Sequence, residues 1–150
     1  MSMSFPINRF RGPYNFLSNF WVTPIVYKGV MFPSSENAYQ AAKFPKEQWY
    51  LFTDITPYQS KVLAYSSALQ PFRNMNFDEI KIDVMAELLA IKFAEGTDLA
   101  LLLIETYPRK LIEGNNHGDT FWGTVDGEGS NHLGELLMKR RQLLVDIMGR

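Results

Sequence analysis

Along the last twenty residues, Leu133, Leu136, Leu137, Leu144 and Ile147 recur at three-, four- and seven-residue intervals. That spacing puts them on one stripe of a helix beginning near Asn131. Further upstream, Asn76 and Glu79 have capping-box spacing ahead of a run that predicts a helix over 77–95, with Gly96 as its stop. Thr97 predicts the cap of another helix, ended by Pro108. Pro45 and Pro57 each stand where a helix would begin, the second behind the cap candidate Thr56. In that second helix Tyr58, Val62, Tyr65 and Leu69 form the predicted inward stripe. Pro33-Ser34-Ser35-Glu36 opens an earlier helix with a serine cap and an acid in its first turn.

The first thirty residues follow a different pattern. Pro6, Pro13 and Pro24 forbid a long helix. Residues 22–32 place β-branched and aromatic positions around Tyr27-Lys28-Gly29-Val30, which predicts a short hairpin. Ile112 and Trp122 lie in segments that could add edge strands. The pattern predicts an α+β fold, predominantly helical, with a small antiparallel sheet in a single compact domain spanning residues 1–150.

Composition narrows this picture without redirecting it. A chain of 150 residues is long enough to bury a core without staples. With 46% hydrophobic and 21% charged residues it reads as globular rather than disordered. A net charge of −1 argues against bulk attraction to nucleic acid or to a membrane surface, though not against a nucleotide substrate. There are no cysteines, which excludes disulfides and thiolate metal sites. The opening MSMSFPINRF has no apolar core of signal-peptide length, and the apolar run 99–104 is too short to span a bilayer. The expectation is a cytoplasmic protein with no membrane partner; its oligomeric state is left open.

Candidate chemistry concentrates in residues 111–131, LIEGNNHGDTFWGTVDGEGSN. Gly127-Glu128-Gly129-Ser130-Asn131 runs into the last helix, where free N–H groups reached through glycines can hold a phosphate. The segment is neither a Walker loop nor a dinucleotide fingerprint nor a calcium loop. Its plainer reading is a glycine-rich turn with an asparagine cap. Asp119 precedes Phe121 and Trp122. It reads either as a desolvated acid suited to proton transfer or as a turn aspartate capping its own loop. Trp122 can stack on a planar ring or simply fill core.

Glu36 is the second carboxylate of interest, with Tyr39 three residues on along the same helical face. Helix-dipole stabilisation of a first-turn acid is its plainer reading. Lys61 flanks the predicted stripe between Tyr58 and Tyr65. It either snorkels to water or, facing a pocket, becomes a nucleophilic amine. His117 and His132 are expected to face solvent, and two histidines without HExxH spacing give no metal site.

Taken in order, several segments resemble the NADAR (YbiA-like) family. They are Gly12-Pro13-Tyr14-Asn15-Phe16-Leu17-Ser18-Asn19-Phe20, then Phe32 to Ala42 with Lys43-Phe44, then Lys61-Val62-Leu63 and Lys92-Phe93. Gly118-Asp119-Thr120-Phe121-Trp122-Gly123 and Gly127 to Gly134, with Leu137-Met138 and Arg141, complete the series. The resemblance implies a YbiA-like fold and an N-glycosidase that needs no cofactor. The implied substrate is a phosphorylated riboside: ADP-ribose on a nucleobase, notably guanine in nucleic acid, or a riboflavin-pathway aminopyrimidine ribosyl phosphate. By similarity the catalytic groups fall on Glu36, Lys61 and Asp119. Substrate contacts fall on Gly12, Tyr14, Ser18, Asn19, Phe20, Tyr39, Trp122, Gly123, Gly127, Gly129 and Asn131. Where the family often has Gly-Arg after its lysine, this chain has Ala64-Tyr65.

Two routes fit such a bond. A carboxylate can activate water against an oxocarbenium-like centre. Alternatively Lys61 can attack C1′ and form a Schiff base with the opened ribose. The rival class is a non-catalytic module that binds ADP-ribose or related nucleotides, and a helical interaction module stands behind it.

Overall fold

A computed structural model describes residues 5–149, so the first four residues of the opening MSMSFPINRF lie outside it. The described chain divides into two units: residues 19–92, and residues 5–18 with 93–149.

Residues 19–92 begin with the expected hairpin. Strand β1 (Val22–Tyr27) pairs antiparallel with β2 (Val30–Ser34), with Tyr27 opposite Val30 and Ile25 opposite Phe32. Lys28 and Gly29 both take positive φ, 49° and 83°, the conformation that closes a two-residue hairpin in register with strand twist. The register slips between Val22 and Ile25, the stretch that holds Pro24, which has no N–H to give a ladder. Ile25, Tyr27, Phe32 and Ser34 turn inward, while Val26 and Met31 turn out.

Helix α1 (Ser35–Ala41) follows without a loop, and every one of its residues is buried. Ser34 caps it by accepting from the Asn37 N–H at 3.1 Å. A helix buried all round must hydrogen-bond its polar side chains, and this one does so except at the Gln40 side-chain oxygen. Asn37 Nδ2 donates to the carbonyls of Phe52 and Ile55, tying down the 3-10 segment Lys46–Phe52 and the loop after it. Helix α2 (Pro57–Ala64) carries a complete Thr56–Gln59 capping box. Helix α3 (Phe77–Lys92) buries Phe77, Val84, Met85, Leu88 and Leu89. Phe32, Phe44, Phe52 and Phe77 are all but fully enclosed. Each such ring contributes about 1.5–3 kcal/mol over leaving it in water.

The other unit contains the 3-10 turn Gly12–Leu17, helix α4 (Asp98–Glu105) capped by Thr97, and helix α5 (His132–Ile147). Its core holds Leu103, Leu111, Leu133, Leu137, Leu144 and Val145. Arg141 is buried with them and donates from Nη1 to the Arg109 carbonyl at 2.7 Å and the Thr106 hydroxyl at 3.0 Å.

The fold class is the expected one: mostly helical, with a single two-stranded antiparallel sheet among the described residues. No helix of the described residues is long and apolar enough to cross a membrane.

Four local expectations need correction. Tyr58, Val62 and Tyr65 are 66%, 54% and 68% exposed, so they face out; α2 turns Pro57, Ser60 and Ala64 inward instead. Helix α2 lies against α1, and small residues permit that approach where tyrosines would hold the helices apart. Helix α3 ends at Lys92, short of Glu95, although Gly96 does take the positive φ of a stop. In α5 the stripe runs through Arg141 and Val145, leaving Ile147 half exposed. Ile112 and Trp122 form no strands; the pairings there are the isolated bridges Ile7–Leu111, Gly114–Thr124 and Val125–Glu128.

Candidate active site

In residues 19–92 the polar groups converge on the first turns of α1. The Asn19 carbonyl accepts from the Glu36 N–H at 3.1 Å, and its Oδ1 accepts from the Ser35 hydroxyl at 2.9 Å. Asn19 Nδ2 donates to the Met85 sulfur at 3.4 Å, so one asparagine fastens the start of α1 to α3. Glu36 is 7% exposed, and its Oε2 accepts from Gln40 Nε2 at 2.7 Å. That i,i+4 bond fixes the carboxylate's direction, and being charge-assisted it is stronger than a neutral one. Gln40 is itself only 4% exposed, and its Oε1 has no protein partner. An enclosed carbonyl oxygen without a donor costs stability, about 1–3 kcal/mol. It is an acceptor available to a ligand hydroxyl or N–H.

One turn beyond, the chain continues to coil through the Lys43 N–H, which donates to the Gln40 carbonyl. This sets Glu36, Gln40 and Lys43 at positions i, i+4 and i+7, along one face. The Lys43 ammonium lies between two rings, with Nζ 5.4 Å from the centre of Tyr39 and 4.6 Å from that of Tyr65. Burial holds its pKa down, to about 8, against the upward pull of the Glu36 carboxylate. Arg73 and Lys81 add to the lowering, and Asp78 opposes it. Tyr39 is fixed edge-on against Phe77, with ring centres 5.4 Å apart. A second enclosed lysine, Lys92 at the end of α3, is 3% exposed and lowered by burial to about 7. Lys61 is half-buried on α2, and Phe20 is exposed beside Asn19.

In the other unit, residues 111–131 form a self-supporting loop. Asp119 Oδ1 accepts from the N–H groups of Phe121 (3.1 Å) and Trp122 (2.9 Å), the turn-capping arrangement. Both bonds fall on the same carboxylate oxygen. Asn115 braces the other side, donating to the Asp119 carbonyl and accepting from its N–H. Trp122 is half-buried, and Phe121 packs edge-on to it at 4.8 Å. The His132 ring sits 4.4 Å from Phe121, so that histidine is half-buried rather than solvent-facing.

The expected phosphate cradle is built differently. The N–H groups of Ser130, Asn131, His132 and Leu133 donate to the carbonyls of Thr120, Gly123, Phe121 and Trp122, so those four amides are already used. Asn131 occupies the cap position with φ 53° but does not cap. Its side chain instead accepts from the Glu113 N–H and donates to the Leu111 carbonyl. Two glycines have the same purpose. A Cβ on Gly123 would collide with Glu113, and one on Gly129 with the Gly123 carbonyl. They let backbone approach backbone. Gly127 is exposed with φ 81°, and Gly12 likewise with φ 58°. Tyr14 is tied to Arg109, whose Nη1 donates to its hydroxyl at 2.6 Å; Ser18 closes the same 3-10 turn.

The structure thus groups Asn19, Glu36 and Tyr39 in one unit, and Asp119, Trp122, Gly123, Gly127, Gly129 and Asn131 in one loop of the other. Sequence reasoning gave no role to Ser35, Gln40, Lys43 or Asn115. The signal for Gln40 and Lys43 was present: with Glu36 they stand at i, i+4 and i+7. Among the described residues no cluster of three or more His, Asp or Glu is placed to hold a metal ion.

A sequence model of the NADAR domain matches residues 7–145. The N-glycosidase YbiA of Escherichia coli (strain K12) is 36% identical over 135 residues, covering 87% of this chain and 82% of YbiA. An N-glycosidase of Nostoc punctiforme is 30% identical over 142 residues, covering 91% and 89%. A riboflavin biosynthesis protein of Vibrio vulnificus (strain YJ016) is 36% identical over 141 residues, but the chain spans only 36% of its length. The NMR structure of Escherichia coli YbiA matches with a TM-score of 0.80 at 31% identity, over 98% of this chain and 90% of that one.

Proposed function

Since this chain belongs to the NADAR domain family, a family that includes N-glycosidases, we propose that it hydrolyses the C1′–N bond of a phosphorylated N-riboside. The substrate is either ADP-ribose joined to guanine or an aminopyrimidine ribosyl phosphate of the riboflavin pathway. The observation that carries this reading is the Glu36–Gln40 pair: an enclosed, oriented carboxylate beside an acceptor that lacks a partner. Cleaving such a bond requires proton movement at the leaving nitrogen and stabilisation of positive charge on C1′, and a held carboxylate serves both. Gln40 Oε1 would take a ribose hydroxyl. Asp119 stays the second proposed acid, through the carboxylate oxygen outside its turn bonds, and Trp122 the proposed ring for stacking.

Attack on C1′ comes from water activated by a carboxylate or from a lysine amine, Lys61 being the one the family resemblance suggests. A panel of ADP-ribosylated guanosine and aminopyrimidine ribosyl phosphates, incubated with the protein and separated by chromatography, tests the reading. Guanosine and ADP-ribose are expected from the first, or free aminopyrimidine and ribose phosphate from the second. Tight binding of ADP-ribose with every riboside left intact would instead establish a binding module.

A further inference from the structure

We propose that Tyr65 sets the specificity of this site: the open face of its ring stacks on the planar heterocycle that departs, which favours guanine-linked ADP-ribose over the aminopyrimidine riboside; this rests on the N-glycosidase reading above. The Lys43 ammonium, on the same helical face as Glu36 and Gln40, meets the rings of Tyr39 and Tyr65. The two rings differ. Tyr39 is 6% exposed and locked edge-on against Phe77, so it has no face to give. Tyr65 is 68% exposed, and the ammonium lies 4.6 Å from its ring centre. One face of that ring is held by the cation, and the other is open to water.

The backbone beneath the ring is fixed. At the C-cap of α2 the Tyr65 N–H donates to the Val62 carbonyl at 3.2 Å, and Gln70 Nε2 donates to the Ala64 carbonyl at 2.7 Å. Ala64 is buried, so the next residue emerges at the rim of α2. A ring already restrained in this way loses little freedom when a ligand stacks on it. Here too the chain departs from the family's Gly-Arg, carrying Ala64-Tyr65, so a flat apolar face stands where a guanidinium is usual.

Gln40 Oε1, enclosed and without a protein donor, marks this side of α1 as the one that meets a ligand. Glu36 must come within hydrogen-bond reach of the leaving nitrogen. Its charge acts on the same Lys43 amine that Tyr65 covers, so a heterocycle joined to that nitrogen comes within reach of the ring. Stacking on an aromatic side chain grows with overlap, and bicyclic guanine overlaps more of the ring than a single-ring aminopyrimidine does.

Steady-state kinetics of the full chain on both ribosides test this. Tyr65→Phe and Tyr65→Trp should keep KM for ADP-ribosylated guanosine within about threefold of wild type. Tyr65→Leu should raise it roughly five- to a hundredfold with kcat little changed, because stacking made equally in ground and transition states is uniform binding. The KM for the aminopyrimidine ribosyl phosphate should rise less. Tyr58→Leu, which removes an exposed ring two turns earlier on α2, should leave both constants unchanged. A KM for the guanine riboside that does not move in Tyr65→Leu, a change confined to kcat or to the pH profile, an equal loss for the two ribosides, or a wild-type preference for the aminopyrimidine overturns the assignment and leaves the N-glycosidase reading standing. No release from either riboside by wild type overturns that reading, and the assignment with it. Tyr65 is exposed, so Tyr65→Leu should fold as wild type does, and equal urea midpoints check it.

Discussion

Gln40 is where a single side chain has the most to reveal. Its amide nitrogen holds Glu36 at 2.7 Å, and its oxygen is enclosed without a protein donor. The first contact orients the acid; the second leaves an acceptor without a protein donor. Gln40→Met keeps the volume and removes both polar atoms. It also removes the orphaned oxygen, so unfolding free energy should shift by about 1 kcal/mol or less. Turnover should drop roughly tenfold to a hundredfold, because a small misplacement of a catalytic group costs that much. Denaturant unfolding and steady-state kinetics on the same preparation check both. Unchanged turnover would show that Glu36 needs no such partner.

Elements reveal what the sequence could and could not carry. The hairpin, the Ser34, Thr56 and Thr97 caps and the α5 helix were legible because each rests on local chemistry: positive-φ turn residues, hydroxyl acceptors, heptad-like spacing. Helix α2 faces opposite to its periodicity. Its most apolar stripe, Tyr58–Val62–Tyr65, faces water because α1 leaves room only for Ser60 and Ala64. Tertiary space overrode periodicity, and no single-chain pattern encodes it. The same holds for Asn131, which looked like a cap and instead bridges Leu111 and Glu113 across the loop. Glu36 was visible from motif and spacing, while Lys43 gained its meaning only once Tyr65 was placed over it. The inverted reading of α2 makes a prediction. Tyr58→Ser and Val62→Ser should change unfolding free energy by less than about 0.5 kcal/mol, as exposed substitutions do. Ser60→Leu and Ala64→Leu should each lose about 1–3 kcal/mol to overpacking. Urea titrations giving the opposite order would restore the stripe that the sequence suggested.

For the whole molecule, two enclosed lysines tie stability to pH. Lys43 is lowered to about 8 and Lys92 to about 7, both chiefly by burial, whereas an unfolded lysine titrates near 10.5. Between those values the unfolded chain binds more protons than the folded one, so stability rises with pH. The unfavourable contribution is greatest below about 7 and fades toward 10.5. Each lysine adds a slope of at most about 1.4 kcal/mol per pH unit inside its window. Urea midpoints should therefore climb from pH 7 to 9.5, and Lys92→Met should flatten the lower part of that climb. A midpoint that falls over the range, or a Lys92→Met slope equal to wild type, would contradict these two shifts.

The most direct measurement is chromatographic detection of guanosine released from ADP-ribosylated guanosine, and of free aminopyrimidine from aminopyrimidine ribosyl phosphates, by wild type and by Glu36→Gln. Glu36→Gln preserves the shape of the side chain but cannot exchange a proton as a carboxylate does. The account predicts release from at least one riboside by wild type, slowed by about 10²–10⁴ in Glu36→Gln. Release at the wild-type rate by Glu36→Gln, or none from wild type, would contradict it.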